Sequence, residues 1–420
     1  MEKERIKQII IDQIETYLNQ EYIERDYSLD ININYCFVGI RRCGKSYLMY
    51  QLMHKIIDSG INSKRIIYVN FQDERFLEFT SSDFDKLLEV SIELSKDNGL
   101  PYLFLDEIQL INNWEAFVRR IADMKYHVNV TGSNSEMLST EIASKLGGRF
   151  MIVSVYPYSF KEYLLSNKID KNSISESTRS KAKITSLFNE YLKYGAFPEL
   201  VNISNKRDYL NNIYQTIYVG DIIARNKIDN DFALRLILKK VAETTMRPIS
   251  FSRLFNIVKS SGAEVGKQTV INYLEYSKDA LLLFEIQNYA AKLVEKETSP
   301  KYYFMDSGLL NLFDNQDVSS AQLENIVAIE LIRRYGINNV YFYEDNTEID
   351  FYIPENNTAI QVSYSINNNE TLKREANALV KLKQRFKNTE CIILTMSEEK
   401  SINIDYVEII IMPIWKWLLS

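Results

Sequence analysis

The chain has 420 residues, 46% hydrophobic, 25% charged and 12% aromatic, with a formal net charge of −6. At roughly 150 residues per domain it holds two or three domains, each able to bury its own core, and the acidic balance excludes a molecule drawn as a whole to nucleic acid or anionic lipid. Three cysteines and two histidines exclude a disulfide framework or a zinc cluster and fit a reducing cytoplasm.

In residues 1–21, Ile6, Ile9, Ile10, Ile14 and Leu18 recur at helical spacing, which predicts an amphipathic helix and not a signal peptide. From 22 to 165, apolar segments at 35–38, 66–71, 102–105, 128–130 and 151–155 alternate with helical stretches. That alternation predicts a mainly parallel sheet covered on both faces. The polar segment 166–183 opens a helical region, 166–240, with a turn at Tyr194-Gly195-Ala196-Phe197-Pro198. Residues 241–300 read as two helices around a break at Gly262 and Gly266, followed by an apolar run at 280–286, the pattern of a winged helix. Strand-like pieces return at 302–305, 340–343, 349–353, 359–363 and 391–395, making 301–420 a second α/β domain. No window approaches 18 uninterrupted apolar residues, so no membrane-spanning helix is expected.

Gly39-Ile40-Arg41-Arg42-Cys43-Gly44-Lys45-Ser46 fulfils G-x-x-x-x-G-K-[ST] and sits between an apolar strand and a helix that takes in Tyr47, the context a P-loop requires. Its glycines let backbone N–H groups close around phosphate, the helix N-terminus adds positive potential, Lys45 reaches the β and γ phosphates, and Ser46 ligates Mg²⁺. The apolar run Leu103-Phe104-Leu105 ends in Asp106 and Glu107. Asp106 is placed to hold the magnesium shell and Glu107 to deprotonate the attacking water. Further on, Val128-Asn129-Val130-Thr131-Gly132-Ser133-Asn134 offers Ser133 or Asn134 as a polar sensor of the γ phosphate, or a plain turn. Gly147-Gly148-Arg149 offers either an arginine finger or a salt-bridged structural arginine. Glycine is scarce, 13 residues in all, yet Gly39, Gly44, Gly132, Gly147 and Gly148 fall within these four elements. Two N-K-x-D strings, 167–170 and 226–229, follow no apolar strand and are discounted as guanine readers, which leaves ATP as the expected nucleotide.

The strings GIRRCGKS, YVNFQDER, YLFLDEIQ, TGSNSEML, LGGR, VYPYSFKEYL, YLKYGAFPEL, IYVGDIIARN and KYYFMDSGLL resemble a large group of bacterial and archaeal AAA-type ATPases that carry a C-terminal domain of unknown function. The resemblance covers nearly the whole chain. It implies an ATP- and Mg²⁺-dependent machine or switch, able to form a homo-oligomer. With the complete P-loop and the Asp106-Glu107 pair, two readings stand: an ATPase in which nucleotide state moves the helical and winged-helix region relative to the α/β core, exposing or hiding a surface for a protein or nucleic-acid partner, or a nucleic-acid-binding protein that uses ATP as a regulatory ligand. The resemblance also implies a last domain similar to PD-(D/E)xK nucleases, with Glu324 as the helix acid and Asp350 as the strand acid. The remaining two positions depart: Gln361 stands where a carboxylate is needed and Ser363 where a lysine is needed. A neutral amide weakens a Mg²⁺ site and the missing cation removes charge stabilisation, so the nuclease chemistry is expected to be lost. On the second helix of the winged-helix pattern, Lys267, Gln268, Thr269, Asn272 and Lys278 are offset by Glu275 and Asp279, a balance unlike that of most duplex readers.

Overall fold

The computed structural model describes residues 1–17, 20–95, 99–138, 140–170, 177–313 and 320–420. Leu18, assigned above to the first helix, and residues 171–176 of the polar segment lie outside the described residues. The chain divides into two compact units, Met1–Tyr156 and Pro157–Ser420.

The first unit is built on five parallel strands, β1 (Tyr35–Val38), β2 (Ile66–Asn70), β3 (Tyr102–Asp106), β4 (His127–Gly132) and β5 (Met151–Ser154), in the order β2-β3-β4-β1-β5. Every residue of β1 and β3 is buried, which is why these strands read as continuous apolar runs and not as alternating ones. Two asparagines fix the central register: Asn34 accepts from Val128 N–H (2.9 Å) and the buried Asn129 accepts from Tyr35 N–H (3.0 Å). Because all five strands run the same way, the ends of β1, β3 and β4 share one edge, with Val38 opposite Gly132. The helix Lys3–Tyr17 buries Ile6, Ile9 and Ile10. Its Gln13 side chain both donates to Asn70 O (3.2 Å) and accepts from Asn70 N–H (2.9 Å), pinning the end of β2.

The second unit starts nine residues ahead of the boundary expected at 165, because the helix Phe160–Ser166 belongs to it. Phe160 lies edge-on to Phe188 (5.3 Å) and Tyr191 (5.2 Å) of the helix Thr178–Tyr194. The expected division at 300 is also crossed by a sheet. Strand β6 (Leu283–Asn288) pairs antiparallel with β7 (Lys301–Phe304) and parallel with β8 (Tyr341–Glu344). With β9 (Glu348–Ile353), β10 (Thr358–Val362), β11 (Glu390–Thr395), β12 (Lys400–Ile404) and β13 (Val407–Pro413) they form an eight-stranded mixed sheet, ordered β12-β13-β11-β10-β9-β8-β6-β7. The helix Asn369–Arg385 closes one core with Leu379 and Leu382 against Ile349, Ile393 and Ile409. The helix Ser320–Tyr335 is buried from Gln322 to Ile332. The two N-K-x-D strings follow helical segments, Phe160–Ser166 and the π-helical stretch Thr216–Ala224, so neither has the strand a guanine reader needs.

The turn after Thr178–Tyr194 meets the start of the short helix Ser307–Asn311 at Asp306. The Asp306 carboxylate is buried and accepts from Ala196 N–H (2.8 Å), Gly308 N–H (2.8 Å) and Leu309 N–H (3.3 Å). This joins YGAFP and MDSGLL, two of the strings on which the resemblance rests.

Candidate nucleotide site

In the first unit, β1 runs into the Gly39–Gly44 turn and then into the helix Lys45–Asp58. Position 39 admits only glycine: a Cβ would stand 2.1 Å from Val155 O and 2.7 Å from Cys43 Sγ. Gly44 is the N-cap at φ 98°, a conformation that L side chains rarely adopt, and brings no side-chain cap to the helix's free N–H groups. The Arg42 backbone is also left-handed, at φ 64°. Ile40 and Cys43 are buried, Arg41 half-buried, Arg42 and Tyr47 exposed. Burial pushes the Cys43 thiol up, which makes it a packing group and not a nucleophile.

The Lys45 ammonium is buried. It donates to Gly39 O (3.1 Å) and Ile40 O (3.3 Å) and stands 3.4 Å from Glu107 Oε1. Burial works against its charge, but the Glu107 carboxylate outweighs that and raises its pKa. Burial likewise pushes Glu107 up, and the Lys45 ammonium with hydrogen bonds from Gln109 and Ser133 reverses the sign, holding Glu107 below the usual carboxylate range. For Asp106, burial and the Glu107 charge dominate and push its carboxyl up, while hydroxyls of Ser46, Thr131 and Tyr68 oppose them.

Strand order explains how these groups meet, since β4 lies between β1 and β3 and brings the Thr131 hydroxyl to the junction of the two acids. Thr131 donates to Asp106 and accepts from Glu107 N–H (2.8 Å). Glu107 itself is left-handed, at φ 53° and ψ 41°, a conformation that costs about 1 kcal/mol or more for a residue of its kind. Of the two sensor candidates, Ser133 is buried and donates to Glu107 Oε2 (3.0 Å). Asn134 follows it, half-buried, its carbonyl accepting from Met137 N–H (3.2 Å). Arg149 pairs with Asp123 and donates to Gly147 O (3.0 Å) on the surface of the same unit, the structural alternative left open above. Thr131, Tyr68 and Gln109 escaped the sequence reading. Gln109 reaches Glu107 from two residues on, whereas Tyr68 and Thr131 reach Asp106 from the strands on either side of β3, which only the strand order discloses.

The second unit gathers the other expected residues. Glu324 is buried and accepts from Tyr303 OH (2.7 Å). Asp350 accepts from Val362 N–H (2.8 Å) while its own N–H donates to Gln361 Oε1 (2.8 Å). The Gln361 amide then donates to Glu375 (2.9 Å), and Ser363 donates to Ser365 O (3.1 Å). Burial raises Glu324 to about 8 and Asp350 to about 6, partly offset by Lys301. The folded protein therefore keeps a proton on Glu324 up to about pH 8 that the unfolded chain releases near the ordinary 4.5. This contribution to stability is full below pH 4.5 and is lost as pH rises through 8. Thermal unfolding of the full chain between pH 6 and 9 should show the second unit losing several degrees with rising pH, and Glu324→Gln should flatten that slope; an unchanged slope in the variant would refute the assignment.

Among the described residues no helix is long and apolar enough to cross a membrane. A family model described as an AAA domain matches residues 33–164, and one described as a domain of unknown function (DUF8612) matches residues 185–320. The uncharacterised protein MJ1544 of Methanocaldococcus jannaschii is 32% identical over 431 aligned residues, covering 99% of this chain and 95% of that protein. An uncharacterised protein of Haemophilus influenzae is 29% identical, over 90% of this chain and 92% of its own. Among solved structures, the Walker-type ATPase paby2304 of Pyrococcus abyssi has 13% identity over 74% of this chain and 95% of its own, with a TM-score of 0.40. The 32% identity over 99% of this chain and 95% of the M. jannaschii protein means that this protein, an AAA domain followed by a DUF8612 domain, belongs to the family of that protein.

Proposed function

We propose that the first unit binds ATP with Mg²⁺ and hydrolyses it, and that the protein works as a nucleotide-driven switch or motor on a partner. The observation that carries this reading is the convergence of Lys45, Asp106, Glu107 and Ser133 at one edge of the sheet, beside a turn whose position 39 has no room for a Cβ. The turn's N–H groups and the start of the helix Lys45–Asp58 would cradle phosphate. Phosphate oxygens would compete with Gly39 O, Ile40 O and Glu107 for the Lys45 ammonium, leaving Glu107 as a base aimed by Gln109 and Ser133. Its left-handed backbone and the Thr131 bond fix that aim before substrate arrives. The Ser46 hydroxyl and the buried Asp106 carboxylate, whose upward shift that hydroxyl opposes, are the oxygen donors that suit Mg²⁺; the ion would neutralise phosphate charge there. Nothing in this reading requires Arg149. The purified protein should bind and hydrolyse ATP, and Lys45→Ala should weaken ATP binding at least tenfold; a variant that binds ATP as tightly as the wild type would sink the proposal.

We read the helices Phe251–Ser260 and Lys267–Asp279 with the β6–β7 pair as a winged helix and the last strands as a nuclease-like fold without its chemistry. Lys278, a prominent cation of the second helix, is paired with Glu275 and Glu285, both at 2.9 Å. That neutralisation favours a protein over a nucleic acid as the surface's partner.

A further inference from the structure

Lys301, the first residue of β7, is fully buried, and its ammonium lies among three carboxyl side chains. Its Nζ stands 3.2 Å from Glu348 Oε1, 3.6 Å from Glu324 Oε1 and 3.8 Å from Asp350 Oδ1. The separations from Glu324 and Asp350 are longer than a hydrogen bond, and the half-exposed Glu348, at 3.2 Å, is the one of the three within reach of Nζ, without the alignment of a directed bond. The Phe342 ring closes another side, 5.3 Å from Nζ. Negative charge comes to the ammonium from Glu348 and Asp350, and Glu324, which holds its proton up to about pH 8, turns a neutral oxygen to it, so that three oxygens lie about Nζ as ligands lie about an ion. They come from β9 and the helix Ser320–Tyr335, two elements that share no hydrogen-bonded ladder with β7.

A divalent ion does not fit beside it. Such an ion needs carboxylates within about 2.1–2.6 Å, and the space they would close around is taken by Nζ. Among the described residues no group of three or more acidic, histidine or cysteine side chains is placed to hold a metal. Gln361 offers an amide in place of a further charge and spends it on Glu375 and Glu348 O.

We propose that Lys301 is the resident cation of this cluster, tying β7, β9 and the buried helix together where a divalent ion would otherwise sit, so that the domain is held by an internal charge and takes up no metal there. This goes beyond the ATPase reading and does not depend on it. On this reading Glu324 and Asp350 are ligands of a side chain, and the neutral Gln361 beside Asp350 adds no charge to them.

The test uses the full chain without nucleotide and Mn²⁺ as the probe, followed by electron paramagnetic resonance and thermal unfolding. Wild type and Asp350→Asn should bind Mn²⁺ alike. Lys301→Met should unfold on the order of 10 °C lower, as expected when a buried charge loses its partner, and should gain a Mn²⁺ site at least tenfold tighter than any in the wild type. The double variant Lys301→Met/Asp350→Asn should lose that gained site and show a coupling of about tenfold in the unfolding equilibrium constant. Mn²⁺ bound by the wild type and lost in Asp350→Asn would overturn the proposal, as would a Lys301→Met protein of wild-type stability with no new Mn²⁺ site. Should Lys301→Met fail to fold, the comparison of wild type with Asp350→Asn still decides: equal Mn²⁺ binding supports the proposal and a loss in Asp350→Asn rejects it.

Discussion

Glutamine at position 107 should slow ATP turnover by a hundredfold or more while leaving ATP binding within a few fold of the wild type. The side chain keeps its length and the carbonyl oxygen needed by the Ser133 hydroxyl and the Gln109 amide, so the loop stays in place. What disappears is the carboxylate that can take a proton from water, and loss of a positioned general base costs about 10²–10⁴ in rate. The Lys45 ammonium, 3.4 Å from Glu107 Oε1 in the wild type, would face an amide and be freer to meet phosphate. Binding and rate should therefore separate, in contrast to Lys45→Ala, where both fall. Single-turnover hydrolysis beside nucleotide-binding titrations makes the distinction. A Glu107→Gln protein that hydrolyses ATP within threefold of wild type would show that another group activates the water.

The turn Gly39–Gly44 and the helix start at Lys45 and Ser46 are legible because they are local, set by glycines and side chains on backbone that is continuous in sequence. Asp106 and Glu107 were legible as acids ending an apolar strand. How they are held was not, since the Thr131 hydroxyl reaches them only because β4 is inserted between β1 and β3, and parallel strand order is set by crossovers that sequence spacing does not encode. The strands β12 and β13 were passed over for a different reason. In β13 the two-residue period, with Val407, Ile409 and Ile411 buried and Glu408 exposed, is masked in the sequence by the apolar residues at the half-buried positions 410 and 412. Lys301 was missed because its partners lie on a helix and a strand distant in the chain. A lysine opening an apolar strand reads as solvated, yet burial among three carboxyl side chains reverses that reading.

Alanine at position 195 should lower the stability of the second unit more than any other substitution to alanine of a positive-φ glycine in it. Gly195 sits at φ 77° and ψ −164°, a region reserved in practice for glycine. The added Cβ would also lie 1.8 Å from Asp306 Oδ1. That oxygen cannot withdraw, because the carboxylate is fixed by three backbone N–H groups: Ala196, Gly308 and Leu309. Moving it would strand those donors and a buried carboxylate that burial already pushes up to about 6. Strain of about 1–3 kcal/mol and the loss of buried hydrogen bonds at about 1–3 kcal/mol each place the total above about 4 kcal/mol, a drop on the order of 10 °C for a unit of this size. Gly262 supplies the control, since it has φ 87° and nothing within 4 Å of a Cβ, so Gly262→Ala should cost only about 1–2 kcal/mol for the left-handed backbone. Thermal unfolding of the two variants in parallel measures the difference. Equal losses would mean that backbone conformation alone is responsible and that the Asp306 clasp yields. A much larger loss at 195 would identify the meeting of YGAFP with MDSGLL as the joint that closes the unit, which accounts for two separated strings standing out in the sequence although neither touches the nucleotide chemistry.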